Sequence, residues 1–109
     1  MKKYEIIKDS KIFDYVIKNG KRLKNQYYNI FYMENKEVKP LFGLAVGKKV
    51  GNAVTRNKNK RQLKNIVDEN KFLFQKPYYY IIMVKKDVND LNYEQKKEAL
   101  VSLIKKEKN

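Results

Sequence analysis

The chain has 109 residues, with 26 Lys or Arg against 12 Asp or Glu, so its formal net charge at pH 7 is +14. It has no Cys and no His, which excludes disulfides, thiolate metal sites and a Cys nucleophile and removes the commonest general base near neutral pH. Apolar residues make up 42% of the chain, enough for the core of one domain covering residues 1–109 but not for two.

A first helix is predicted at residues 10–19. Asp9 or Ser10 can cap its N-terminus, and Gly20 suits the left-handed position that often follows a last helical turn. The apolar residues of this segment recur at helical spacing and form one stripe, which consists of Ile12, Phe13, Val16 and Ile17.

Two strands are predicted next, at residues 27–33 and 41–46. The connection between them ends in Pro40 and is too short for a crossover, so we expect the two strands to run antiparallel. In the first of these strands, alternation places Tyr28, Ile30 and Tyr32 on one face and Tyr27, Asn29, Phe31 and Met33 on the other.

The second half of the chain predicts a helix, a strand and a helix. A glycine-containing loop leads into a helix that should begin near residues 52–54 and end at about residue 70. Residues 78–84 are strongly apolar, which indicates a strand buried on both faces. Asn92 can cap the last helix, with Gln95 placed for a capping box. The order α-β-β-α-β-α predicts an α+β sandwich of helices on a small sheet.

One segment of the chain carries no acid. No Asp or Glu occurs at residues 38–67, whereas eight bases do, and they supply +8 of the net charge. These bases are Lys39, Lys48, Lys49, Arg56, Lys58, Lys60, Arg61 and Lys64. At about 100° per residue, Leu63, Ile66 and Val67 form the apolar side of the second helix. The adjoining arc is polar and cationic, and it consists of Asn57, Lys58, Lys60, Arg61, Lys64 and Asn65.

This cationic arc is either a solvated helix face or a binding surface for a polyanion. Most Lys-rich helix faces are merely solvated. Here, however, acidic partners one turn away are missing along most of the helix, so the bases repel one another instead of pairing. The preceding loop adds Lys48, Lys49 and exposed backbone N–H groups to the same surface. The pattern therefore favours nucleic acid as the partner.

Aromatic side chains offer a second feature, because single-stranded RNA binds by stacking its bases on aromatic rings. Phe13 on the first helix and Phe31 or Tyr28 on the first strand are candidates for a groove beside the basic helix. The alternative is that these rings belong to the core, which is the commoner case for any single aromatic residue.

The sequence also indicates where the protein works. No segment resembles a signal peptide, and the longest apolar run, residues 78–84, is far too short to cross a bilayer. We therefore expect a cytoplasmic protein. The twelve acids form no recognisable motif for a carboxylate metal site.

The run from Gly47 to Lys64 resembles the signature of the bacterial ribonuclease P protein component. Residues 47–54 read Gly-Lys-Lys-Val-Gly-Asn-Ala-Val, residues 56–61 read Arg-Asn-Lys-Asn-Lys-Arg, and the match is nearly continuous over residues 42–64. The resemblance implies the same α-β-β-α-β-α order, with an extra short β element in some members. It also implies a left-handed β-α-β crossover, similar to that in the second domain of small-subunit ribosomal protein five.

The resemblance further implies a function. Such a protein is the subunit of ribonuclease P that binds the catalytic RNA and the 5′ leader of precursor tRNA, while the RNA and Mg²⁺ hydrolyse the phosphodiester. No catalytic residue on the protein and no obligate protein partner are expected. The RNA-contacting residues carried over by position are Lys48, Lys49, Arg56, Asn57, Lys58, Lys60, Arg61 and Lys64. The leader-binding groove carried over in the same way consists of Phe13, Ile17 and Phe31. No metal site on the protein can be assigned.

The chain departs from the family pattern at three of these positions. Lys58 and Lys64 stand where Arg is common, and Lys lacks the bidentate phosphate contacts that Arg makes. Ile17 stands where an aromatic residue is common. Two other interpretations stay open at this point: a structural RNA-binding protein of ribosomal type, and a DNA-binding protein with the basic helix in a major groove. The second lacks an evident partner helix or dimer seam.

Overall fold

A four-stranded sheet carries three helices. The structure, a computed structural model, describes residues 1–108, and Asn109 lies outside the described residues. The strands are Lys21–Lys24 (β1), Tyr28–Glu34 (β2), Leu41–Val46 (β3) and Tyr78–Val84 (β4). The helices are Ser10–Asn19 (α1), Ala53–Glu69 (α2) and Tyr93–Lys105 (α3). The predicted order is confirmed, and β1 is the additional short strand that the resemblance allows.

The strand order in the sheet is β1-β2-β4-β3. β2 and β3 run in opposite directions as predicted, but β4 lies between them, antiparallel to β2 and parallel to β3. This central position suits the most apolar strand of the chain, because a central strand is covered on both faces. The segment β3-α2-β4 is thus a crossover between neighbouring parallel strands. Its left-handedness stays a prediction of the resemblance.

Different helices pack on the two faces of the sheet. Tyr28 and Ile30 of β2 lie in the main core together with Leu63 of α2 and Leu100 of α3, so the face on which the predicted alternation places them is the inner one. Alternation turns the intervening residues to the opposite face, where α1 packs. Val16 of α1 is fully buried outside that main core. A sheet with α2 and α3 on one side and α1 on the other is the predicted α+β sandwich.

Side chains cap all three helices, and the caps of α1 and α3 are those that the sequence predicts. The Asp9 side chain accepts a hydrogen bond from the backbone N–H of Lys11 at the start of α1. Asn52 caps α2 by accepting from the N–H of Thr55 at 2.9 Å. Asn92 forms the expected capping box at the start of α3. Because a cap satisfies backbone donors that the helix cannot, these residues fix where each helix begins.

The predicted left-handed conformation of Gly20 is wrong. This residue is extended, with φ −77° and ψ 167°. Glycine is needed there for space: a Cβ would lie 2.6 Å from the carbonyl oxygen of Val16 and 2.9 Å from that of Tyr32. The chain therefore turns from α1 into β1 by close backbone contact with β2.

The N-terminal segment is bound to the sheet edge and to α2. Ile6 forms a parallel bridge with Phe42 of β3. The α-amino group of Met1 pairs with Asp68, and Lys71 pairs with Glu5, next to the C-terminal end of α2. These contacts hold the segment beside β3, where it forms one wall of the cavity described below.

No helix within residues 1–108 is both long enough and apolar enough to cross a membrane.

Candidate nucleic-acid interface

The cationic surface predicted for α2 and its preceding loop is unpaired. None of the eight bases at residues 38–67 forms a salt bridge within the part of the chain that the structure describes. Asn57, Lys58, Lys60 and Arg61 are exposed, and Lys64 is half-buried. Leu63, Ile66 and Val67 are buried, as the helical spacing predicts. Within residues 1–108, no ion pair therefore competes with an external anion for these exposed charges.

The loop before α2 is held firmly while its bases project. Lys48 and Lys49 are exposed at the start of a short 3₁₀ turn, whereas Val50 is buried. The backbone oxygen of Val50 accepts a hydrogen bond from Asn89 Nδ2 at 2.6 Å. Gly51 has φ +156°, a conformation that favours glycine. The bases of the loop thus sit on a fixed support beside the N-terminus of α2.

Arg56 occupies a different environment from the other bases. It is half-buried near the apolar side of α2, as its helical position indicates. Its Nε is buried and has no hydrogen-bond partner within residues 1–108. An unsatisfied buried donor is unfavourable, so this side chain is poised to gain from an added acceptor.

Phe13 reaches across to the edge strand of the sheet. Gly43 of β3 makes room for its ring, because a Cβ at residue 43 would lie only 2.7 Å from Phe13 Cε2. Beside this contact is a cavity of about 210 Å³ whose lining includes Phe13, Gly43, Lys60 and Lys64. Ile6 and Ile7 of the N-terminal segment complete one wall. The structure therefore brings one predicted groove residue together with two bases of the helix.

The other two predicted groove residues lie on the same side of the sheet but not in that cavity. Phe31 pairs with Ile81, which in turn pairs with Gly43, so Phe31 lies about 10 Å from the Phe13 contact, two strand spacings away. Ile17 lies one helical turn beyond Phe13 on α1 and is half-buried. Tyr28, the alternative to Phe31, is buried on the opposite face, so its assignment to the groove is wrong.

Next to Phe31, one row of the sheet is not fully covered. Asn29 and Met83 are paired in this row and are half-buried, and exposed Lys24 lies at its β1 end. The Oδ1 atom of Asn29 is buried without a hydrogen-bond partner among the described residues. An amide acceptor, a thioether and a lysine thus extend the groove beyond the aromatic ring of Phe31.

The sequence interpretation missed a pair of buried polar residues that joins α2 to α3. Asn59 of α2 and Lys96 of α3 are both almost fully buried, and Lys96 Nζ donates to Asn59 Oδ1 at 3.0 Å. The signal was present in the helical spacing. Asn59 falls on the same side of α2 as Leu63, and Lys96 lies one turn before Leu100 on the buried stripe of α3. Burial, and then the nearby charge of Lys58, lowers the pKa of Lys96 below its usual value.

Within residues 1–108, no three carboxylates converge closely enough to hold a metal ion. The lining of the Phe13 cavity is instead cationic or neutral.

Comparisons with known proteins agree over almost the whole chain. A family model described as Ribonuclease P matches residues 1–108. The chain is 39% identical to the ribonuclease P protein component of Mycoplasma capricolum over 106 residues, which cover 96% of this chain and 97% of the relative. It is 36% identical to that of Bacillus velezensis over 107 residues, covering 97% and 91%.

Two solved structures have folds that match this one over nearly the whole chain. A ribonuclease P protein from Staphylococcus aureus, a mutant with defective mRNA degradation activity, matches with a TM-score of 0.90 at 28% identity, covering 97% of this chain and 90% of that one. The ribonuclease P protein from Thermotoga maritima matches with a TM-score of 0.84 at 26% identity, covering 94% and 96%.

Proposed function

The chain belongs to the ribonuclease P protein family, and on that premise we propose that it binds the catalytic RNA and the 5′ leader of precursor tRNA through two connected surfaces. As a protein component of ribonuclease P it takes part in tRNA processing. The first surface is the loop and helix with Lys48, Lys49, Arg56, Asn57, Lys58 and Arg61, which we assign to the catalytic RNA. The second is the groove of Phe13, Ile17 and Phe31, which we assign to the leader.

One observation carries the proposal for the leader: Lys60 and Lys64 line the same cavity as Phe13. A single strand presents phosphates and unpaired bases in alternation. Cations beside an aromatic ring can therefore bind the backbone while the ring stacks a base, and such stacking is worth about 1–3 kcal/mol per base. We assign Lys60 and Lys64 to the leader backbone on this ground, although the sequence alone grouped them with the other helix residues.

We propose that the protein supplies binding rather than chemistry. It has no His and no Cys, and the groove residues are apolar, aromatic or cationic. Hydrolysis would be performed by the RNA with Mg²⁺ held by the RNA and the substrate, and residues 1–108 offer no carboxylate cluster that fits the ion. With these proposed partners and this reaction, we expect the protein to act in the bacterial cytoplasm. Family membership sets aside the ribosomal and DNA-binding alternatives.

The test is reconstitution with the cognate ribonuclease P RNA at low Mg²⁺. The protein should raise the rate of precursor tRNA cleavage by the RNA, because its cations replace part of the screening that Mg²⁺ otherwise provides. If the protein binds the RNA but leaves cleavage unchanged under these conditions, the proposed role is wrong.

A further inference from the structure

A second cavity lies beside the N-terminal half of α2 and is separate from the groove. It has a volume of about 490 Å³, and its lining includes Asn52, Lys58, Asn59, Asn89 and Lys96. It shares no lining residue with the cavity of Phe13, Lys60 and Lys64. Whatever it binds is therefore a different group from the one bound in the groove.

Lys96 brings an uncompensated charge into this cavity. Its side chain is 5% exposed, and its ammonium donates to Asn59 Oδ1 at 3.0 Å and to Gln62 Oε1 at 2.7 Å. Both partners are neutral amides, and no carboxylate lies within salt-bridge distance in residues 1–108. An ammonium group has three donors, so one is left after these two bonds. A buried cation without a counter-charge is unfavourable, and an anion would offset that cost.

The amide network fixes this ammonium in place. Asn59 Nδ2 donates to the backbone oxygen of Thr55 at 3.0 Å and to Asn89 Oδ1 at 3.2 Å. Asn89 Nδ2 in turn donates to the backbone oxygen of Val50. Because both N–H donors of Asn59 are engaged, Asn59 presents its oxygen to Lys96. The lysine is therefore held in the cavity wall.

Two further features of the cavity favour an anion. Lys58, an exposed base, lines it beside Lys96. Asn52, the cap of α2, also lines it, so the positive end of the dipole of this 17-residue helix lies at the cavity.

We propose that this cavity binds a phosphate group, with Lys96 and Lys58 as its cationic contacts. The group is either a phosphodiester of the RNA backbone or free inorganic phosphate, since both present the same oxygens to the two ammonium groups. The proposal does not depend on leader binding in the groove, and it is tested first on the protein alone.

The first experiment titrates inorganic phosphate into the protein at constant ionic strength, with chloride as the reference salt. Phosphate should raise the Tm in a saturable manner and raise the pKa of Lys96, which NMR of labelled lysine side chains reports. Lys96→Met should abolish the saturable rise in Tm, whereas Lys105→Met, an exposed change on the same helix, should keep it. If Lys96→Met does not fold, the response of the Lys96 resonance in the wild-type protein shows whether phosphate binds at this site. A wild-type Lys96 that does not respond to phosphate contradicts the proposal, and so does an equal rise in Tm for both variants.

The second experiment separates the two sources of phosphate. If the RNA backbone fills the cavity, Lys96→Met should reduce the slope of log affinity for ribonuclease P RNA against log salt by about 0.7–0.9, and free phosphate should no longer affect Lys96 in the complex. If free phosphate is the ligand, the slope should be unchanged and phosphate should still shift Lys96 in the complex. If neither effect is found, the cavity is not a phosphate site.

Discussion

The ring of Phe13 lies so close to Gly43 that a Cβ on residue 43 would be 2.7 Å from Phe13 Cε2 and 3.3 Å from Ile81 Cγ1. This contact joins α1 to the edge strand β3 and places the ring next to Lys60 and Lys64. The absence of a side chain at residue 43 is therefore a condition for the geometry of the proposed leader site.

Gly43→Ala should displace Phe13 and lower the free energy of unfolding by about 1–3 kcal/mol, the usual cost of overpacking a filled site. Urea denaturation measures this change. Gly47→Ala is the matched control, because a Cβ there meets no atom within 4 Å and its φ of −79° suits any residue. If both variants lose the same free energy of unfolding, the contact with Phe13 is not the cause of the loss in Gly43→Ala.

Phe31→Ala should weaken binding of leader-bearing precursor tRNA by the reconstituted enzyme and leave binding of mature tRNA nearly unchanged. The expected loss is about 1–3 kcal/mol if the ring stacks one base. The measurement is the affinity of the wild-type and Phe31→Ala enzymes for precursor tRNA and for mature tRNA. Phe72→Ala serves as the control, since Phe72 is an exposed aromatic residue outside the groove. Equal losses for precursor and mature tRNA would identify Phe31 as a structural residue only.

The lowered pKa of Lys96 predicts a pH dependence of stability. Between that lowered pKa and the ordinary value of 10.5, the unfolded chain binds more protons at this residue than the folded chain does. Stability contributed through Lys96 therefore rises as the pH rises through this window, and the cost of the buried charge is fully present below it. Denaturation of wild type and Lys96→Met at several pH values should show wild type gaining relative to the variant up to pH 10.5. A constant difference would contradict the lowered pKa.

Local structure was predictable where side chains close in sequence decide it. The bounds of α1 follow from the Asp9 cap and the apolar stripe, and the cationic face of α2 follows from helical spacing alone. β1 was not predicted, because Lys21–Lys24 has one apolar residue and is a strand through its pairing with β2. The position of β4 between β2 and β3 likewise depends on contacts distant in sequence.

The same distinction applies to the candidate site. The sequence identified Phe13, Lys60 and Lys64 separately, but their meeting at one cavity depends on β3 being the edge strand beside α2. Lys96 and Asn59 had a readable signal, since both occupy apolar helix faces. Their pairing joins α2 to α3 across 37 residues of sequence, so no local pattern could reveal it.

The central claim is that Lys60 and Lys64 act with the aromatic groove on the leader. The direct measurement is the affinity of the reconstituted enzyme for precursor tRNA divided by its affinity for mature tRNA, in wild type, in Lys60→Ala/Lys64→Ala and in the equally charged control Lys36→Ala/Lys86→Ala. We predict that the ratio falls in the first variant only, with a salt slope for precursor tRNA reduced by about 0.7–0.9 for each lost phosphate contact. An unchanged ratio, with both affinities lowered together, would contradict the claim and assign the two lysines to the catalytic RNA.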